Sequence, residues 1–245
     1  MNTLPNDIHY IIYNFLKTKD KINFLSISKK ININSKNYII INLNKKYSLK
    51  YYRNRKFREY ILTKVVNPSK QIKLILSSIY INKLNLLSNI NYLNLSYCRG
   101  LKNIYPLQNI HYLNLSNTDI EDIIILKNVK YLDLSYTKII NIENIKYMNN
   151  LYYLSLSGCK KIINFNNLEN IYSLDVSETY ITNEYISTLK NTNSLNISRC
   201  KNVTEVNILN KLNNLKILKI NTMINYIINF HLIKNIKIID TYYSY

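Results

Sequence analysis

Two kinds of hydrophobic pattern divide the chain. From about Lys70 onward one unit keeps returning. INYLNLSYC begins at Ile90, IHYLNLSNT at Ile110, VKYLDLSYT at Val129, LYYLSLSGC at Leu151 and IYSLDVSET at Ile171. Weaker copies are TNSLNISRC at Thr192 and LKILKINTM at Leu215. The fourth position holds Leu93, Leu113, Leu132, Leu154, Leu174, Leu195 and Leu218, at successive spacings of 20, 19, 22, 20, 21 and 23 residues. An earlier copy, IKLILSS, has Leu74 in register, and a frayed last one, IKIID, has Ile239. Alternation within LxL predicts a short strand with both Leu on one side. A single unit cannot bury those Leu, but stacked neighbours can. Apolar residues in the second half of each unit, such as Ile120, Ile123, Leu126 and Val129, return the chain for the next strand. The expected fold class is α/β, with the strands of 70–245 side by side in a parallel sheet that lines one concave face.

The ninth position of the unit is selective. It holds Cys98, Cys159 and Cys200 in three copies and Thr118, Thr137 and Thr179 in three others. After Thr the next apolar residue comes two later (Ile120, Ile139, Ile181), and after Cys three later (Leu101, Ile162, Val203). Two turn types are therefore interleaved.

Residues 1–33 follow a helical period instead. Ile8, Ile11, Ile12, Phe15 and Leu16 recur at helix spacing. Pro5 suits a helix start and Asp7 its first turn. The polar loop KTKD follows, then Ile22, Phe24 and Leu25 on a second helix. Residues 34–69 join the two parts, with a candidate strand over Tyr38–Asn44 and a basic helix over Tyr51–Val66 that ends before Pro68.

The LxxLxLSx(T/C) unit resembles the leucine-rich-repeat family over about 170 residues, and LSGCKKI resembles the cysteine-containing repeats of many F-box proteins. The resemblance implies that the ninth position points inward at the turn after the strand, where a small side chain with a donor fits. The alternative for Cys98, Cys159 and Cys200 is a metal site or a catalytic thiolate, but a reactive thiolate needs exposure and a basic neighbour, which interior positions this far apart in sequence do not offer. Residues 1–33 resemble the F-box itself: Leu4, Pro5, Asp7 and Ile8, then Ile11, Ile12, Phe15, Leu16 and Asp20, then Leu25, Ile27, Ser28 and Lys29. The family usually follows this with a Trp; the chain has none, and Ile31 stands near that place. The resemblance implies docking of Leu4, Pro5, Asp7, Ile8, Ile12, Phe15, Leu16 and Leu25 on a Skp-type adaptor and through it on a cullin ligase. The alternative for these helices is a plain cap that shields the first repeat.

Composition changes how the charge is read. The formal net charge is +19, which raises nucleic acid or anionic membranes as partners. The chain has 24 Tyr, 2 Gly, 3 Pro and no Trp, and no Ala. The favoured residues have A/T-rich codons, as expected of an A/T-rich genome such as those of several large DNA viruses, protists and parasites. Part of the Lys excess is therefore codon drift. The remainder is uneven: residues 1–69 carry 14 basic and 3 acidic side chains, against 19 and 11 in the other 176. It is densest over Lys45–Lys64. No leader, no membrane-spanning run and no disulfide framework are visible. A reducing compartment is expected: the cytoplasm, a host's if the source is viral, or the nucleus.

The expected function is a non-catalytic substrate-recognition subunit of an SCF-type ubiquitin ligase, acting by proximity. The alternative is a stand-alone scaffold or inhibitor with no ubiquitin role; nucleic-acid binding through the basic stretch is a third reading. No catalytic, cofactor or metal residues are expected, and His9, His111 and His231 lack ligand spacing. The unknown protein target is expected on the concave face. There the third position gives Tyr92, Tyr112, Tyr131 and Tyr153, the fifth Asn94, Asn114, Asp133 and Asp175, and the eighth Tyr97 and Tyr136.

Overall fold

The structure, a computed structural model, describes residues 40–65, 67, 72–101, 103–221 and 236–240. The expected adaptor-binding residues Leu4, Pro5, Asp7, Ile8, Ile12, Phe15, Leu16 and Leu25 lie outside the described residues. Ten described strands form one sheet in unbroken chain order. They are β1 (Ile41–Leu43), β2 (Ile72–Ile75), β3 (Tyr92–Asn94), β4 (Tyr112–Asn114) and β5 (Tyr131–Asp133), then β6 (Tyr153–Ser155), β7 (Ser173–Asp175), β8 (Ser194–Asn196), β9 (Ile217–Ile220) and β10 (Lys237–Asp240). Every neighbouring pair is parallel.

The inward Leu set the register. Leu43, Leu74, Leu93, Leu113, Leu132, Leu154, Leu174, Leu195 and Leu218 stand opposite one another in succession and are all buried. Slipping one strand by one residue would turn its Leu outward. The sixth-position residues, from Leu76 to Ile220, fill the layer beside them. Connecting segments return the chain through short 3-10 turns and one helical turn, α3 (Asn183–Ser187), and bury residues such as Leu87, Ile123, Phe165 and Leu189. Thr192 stands where other repeats place an aliphatic residue; it is fully buried and donates its hydroxyl to Ile171 O at 2.9 Å.

Strands β2 to β8 are each followed by a tight turn whose eighth residue is left-handed: Ser78, Tyr97, Asn117, Tyr136, Gly158, Glu178 and Arg199, with φ between 55° and 68°. The reason is a lattice of backbone bonds. The N–H groups of Ser78, Tyr97, Asn117, Tyr136, Gly158 and Glu178 donate to the carbonyls of Ser96, Ser116, Ser135, Ser157, Ser177 and Ser198 in the next repeat, at 2.7–3.0 Å.

The ninth-position residues lie inside, as the repeat resemblance implies. Thr118, Thr137 and Thr179 each donate to a carbonyl of their own repeat, Leu115, Leu134 and Val176. Cys98, Cys159 and Cys200 donate across to the preceding repeat, to Leu76 O, Leu134 O and Val176 O at 2.9–3.1 Å. Leu134 O and Val176 O thus each accept from a Thr and from the following Cys. The cysteines are buried free thiols, and burial raises each thiol above its ordinary value.

Two described helices lie before β2. The single basic helix expected over Tyr51–Val66 is instead a pair, α1 (Lys45–Arg53) and α2 (Arg55–Leu62). Asn54 causes the break: its backbone is extended, its N–H donates to Lys50 O, and its side chain caps Phe57 N at 2.8 Å. Ser48 stitches α1 to the sheet by donating to Leu43 O and accepting from Ile75 N, both at 2.8 Å. Arg58 donates to the carbonyls of Tyr51 and Tyr52 at the end of α1. A second correction concerns the far end. Ile238, not Ile239, stands opposite Leu218. IKIID offers Ile at both places, and Ile236 packs on the core, which brings Ile238 into line with Leu218.

Candidate functional site

The concave face is built by what the inward Leu leave pointing out. The third-position tyrosines of adjacent strands are drawn into stacking distance by strand pairing. Ring centroids of Tyr92 and Tyr112 are 5.5 Å apart, and those of Tyr112 and Tyr131 are 4.5 Å apart and nearly parallel at 9°. Beyond Tyr131 the ladder divides. Tyr153 continues it at 6.4 Å, while Tyr152, at the second position, lies 5.5 Å from Tyr131 and stacks on Tyr172 at 4.5 Å. The Lys73 ammonium sits over the outer face of Tyr92, 4.9 Å from its centroid. Tyr152 and Tyr172 escaped the sequence reading. The signal was that Ser173 replaces Tyr at the third position just where Tyr172 appears at the second.

Burial pushes the Tyr112 and Tyr153 phenols above the ordinary value. Neighbouring phenols add to this at Tyr112, and the carboxylates of Asp133 and Asp175 add to it at Tyr153. Both stay protonated hydroxyl donors at neutral pH. Tyr92, Tyr112, Tyr131 and Tyr153, together with Asn94, Asn114 and Asp133, line one shallow groove of about 350 Å³.

The fifth-position residues have a task of their own. Asn94, Asn114, Asp133 and Asp175 each accept, through Oδ1, the N–H of the Ser two residues on, at 2.9 Å. They are held in place by the turn they form. Asn114 and Asn196 donate sideways to Asp133 and Asp175, both at 2.8 Å, and hydroxyl contacts join Ser135 to Ser155 and Ser157 to Ser177. A polar seam therefore runs beside the tyrosines from β4 to β8. Tyr97 and Tyr136, at the eighth position, sit on the turns at the margin of the sheet and are exposed. The Tyr136 phenol is raised by burial first and then by its hydrogen bond to Glu178, which also receives Arg199 at 3.1 Å.

No family model matches this chain, and no curated protein matches it. Solved structures do. It is similar to internalin C2 of Listeria monocytogenes, at 20% identity and a TM-score of 0.51, over 69% of this chain and 79% of that one. It is also similar to a leucine-rich-repeat protein of Leptospira interrogans, at 20% identity and a TM-score of 0.43, over 71% of this chain and 55% of that one. The fold is a leucine-rich-repeat solenoid. In this solenoid no group of His, Cys, Asp and Glu could hold a metal ion among the described residues, and no described helix is long and apolar enough to cross a membrane.

Proposed function

We propose that this leucine-rich-repeat chain is a non-catalytic scaffold that binds a protein on its concave face. The observation that carries this reading is the tyrosine ladder. Six rings from Tyr92 to Tyr172 are fixed by strand register and by one another, so contact with a partner orders few free rotors. Their stacked faces cover one another while the rings stay partly exposed, a surface suited to a mixed polar and apolar protein surface.

Residues 1–33 add the finer reading. Their resemblance to an F-box makes the chain a substrate-recognition subunit of an SCF-type ligase: Leu4, Pro5, Asp7, Ile8, Ile12, Phe15, Leu16 and Leu25 dock on a Skp-type adaptor, and the solenoid presents the target to the cullin complex. The test is co-purification of the full chain with a Skp-type adaptor from a eukaryotic cell. Capture supports the ligase role. Failure to capture it leaves a stand-alone scaffold whose first helices serve as a cap.

A further inference from the structure

The middle of the concave face differs in charge from its two ends. The chain is +19 overall. Lys73 stands on β2, and Lys216, Lys219 and Lys237 stand on or beside β9 and β10. Across β3–β8, by contrast, the second, third, fifth, seventh and eighth positions carry Lys130 and Arg199 as cations, against Asp133, Asp175 and Glu178. Arg199 and Glu178 pair with each other. Asp133 and Asp175 have no ion-pair partner among the described residues. Codon drift inflates Lys, so it does not account for two unpaired acids in this stretch.

These two carboxylates flank one ring. Asp133 is on β5, Asp175 on β7, and Tyr153 on β6 between them, close enough for both charges to act on its phenol. Each carboxylate uses three of its roughly four acceptor positions on neutral donors. Asp133 takes Ser135 N, Ser135 Oγ and Asn114 Nδ2; Asp175 takes Ser177 N, Ser177 Oγ and Asn196 Nδ2. One acceptor position on each Oδ2 is left, and neither charge is neutralised. The ring is open on one side. Tyr153 stacks with Tyr131 toward β5, but toward β7 and β8 the third positions are Ser173 and Ser194, too small to cover it. A cation is drawn to a ring face of this kind, and Lys73 already occupies the equivalent face of Tyr92 at the other end of the ladder.

We propose that the notch formed by Tyr153, Asp133 and Asp175 receives an Arg side chain from a basic segment of the partner protein. Arg fits better than Lys because a planar guanidinium can lie on the ring while its edge reaches a carboxylate. The proposal rests on the concave face being the partner-binding surface. Exposed charges farther than about 8 Å are largely screened at physiological salt, so the two carboxylates weigh most inside the notch. The notch thus supplies specificity that net charge would not.

The experiment uses the full chain and three fluorescein-labelled twelve-residue peptides. One alternates Arg with Ser, and the others replace Arg by neutral citrulline or by Glu. Anisotropy titrations near 0.15 M salt are expected to show the Arg peptide binding at least tenfold tighter than either control. Asp133→Asn with Asp175→Asn, which keeps the turn acceptors, is expected to remove that preference, as is Tyr153→Ser, which copies the next two strands. Either variant suffices if the other fails to fold by circular dichroism. Tighter binding of the Glu peptide overturns the proposal, as does an Arg preference unchanged in a folded variant. If binding then responds to Tyr112→Ala with Tyr131→Ala, the concave face still binds partners and only the notch is wrong. If no peptide responds to any concave variant, both readings fall.

Discussion

The ring of Tyr136 lies directly over the α-carbon of Gly158, so close that a Cβ built on residue 158 would meet two ring carbons at 2.4 Å. The chain has two glycines, and both are used this way; a Cβ on Gly100 would meet the Tyr80 ring at 2.7 Å. Gly158 lets the Tyr136 phenol cross one repeat and bond Glu178, which holds Arg199 one repeat further on.

Gly158→Ala is therefore expected to destabilise the solenoid by about 2–4 kcal/mol, from a left-handed backbone and a displaced ring together. In a Tyr136→Ala background the same change should cost about 1–2 kcal/mol, the backbone part alone. Urea melts of the four chains measure the coupling. Equal costs in both backgrounds would show that the ring does not depend on the glycine.

Truncating Tyr112 and Tyr131 together to Ala removes the tightest step of the ladder. A loss of about 2–4 kcal/mol in binding is expected toward the protein that co-purifies with the wild-type chain. Stability should fall by only about 1–2 kcal/mol, because the rings are half-exposed and what is lost is mainly their stacking. Calorimetry separates the two effects; undiminished binding would move the target site to the loops.

Burial raises the Cys200 thiol from 9.0 to about 11. The native state keeps this proton where the unfolded chain has lost it. The resulting stability is intact below about pH 9 and is lost as pH rises toward 11, about 2–3 kcal/mol in all. Cys200→Ala should flatten that part of the stability-versus-pH curve relative to wild type. In the same samples at neutral pH, Cys98, Cys159 and Cys200 should resist thiol labelling until denaturant is added.

Replacing Leu4 and Pro5 by Ala is expected to weaken capture of a Skp-type adaptor by about 2–4 kcal/mol, roughly 30- to 1000-fold. Target binding by the repeats should survive, since contacts in a solenoid are local. Wild-type capture with an undiminished mutant would mean that the F-box alignment is out of register.

The sheet was legible because its register rests on one residue type at one spacing: where Leu93 to Leu218 recur, strand pairing follows. The same count put Cys98, Cys159 and Cys200 at one repeat position, and the likeness to leucine-rich repeats made that position an interior one. Legibility fell where two answers shared one pattern. Ile238 and Ile239 are equally apolar, and only packing of Ile236 chooses between them. The break at Asn54 is one polar residue in a run that otherwise reads as helix. On the concave face the four third-position tyrosines were visible, but their continuation through Tyr152 and Tyr172 requires knowing that a second-position ring can lean onto a third-position one. The turn-forming role of Asn94, Asn114, Asp133 and Asp175 was written in the Ser two residues after each, a local signal weaker than the repeat that contains it.

The left-handed eighth residues leave the molecule room for improvement. Asn117 and Gly158 suit that conformation, but Ser78, Tyr97, Tyr136, Glu178 and Arg199 adopt it against the preference of a side chain with a Cβ. The next repeat's serine carbonyls hold Ser78, Tyr97, Tyr136 and Glu178 there, so the strain is repeated along the chain. Asn at 97, or Gly at 78, should each relieve about 0.5–1 kcal/mol after the entropy of the unfolded chain is counted. Gains at separate turns should add, because distant repeats do not touch. The solenoid can thus be hardened turn by turn along one margin while the stacked tyrosines from Tyr92 to Tyr172 and the carboxylates of Asp133 and Asp175 stay as they are.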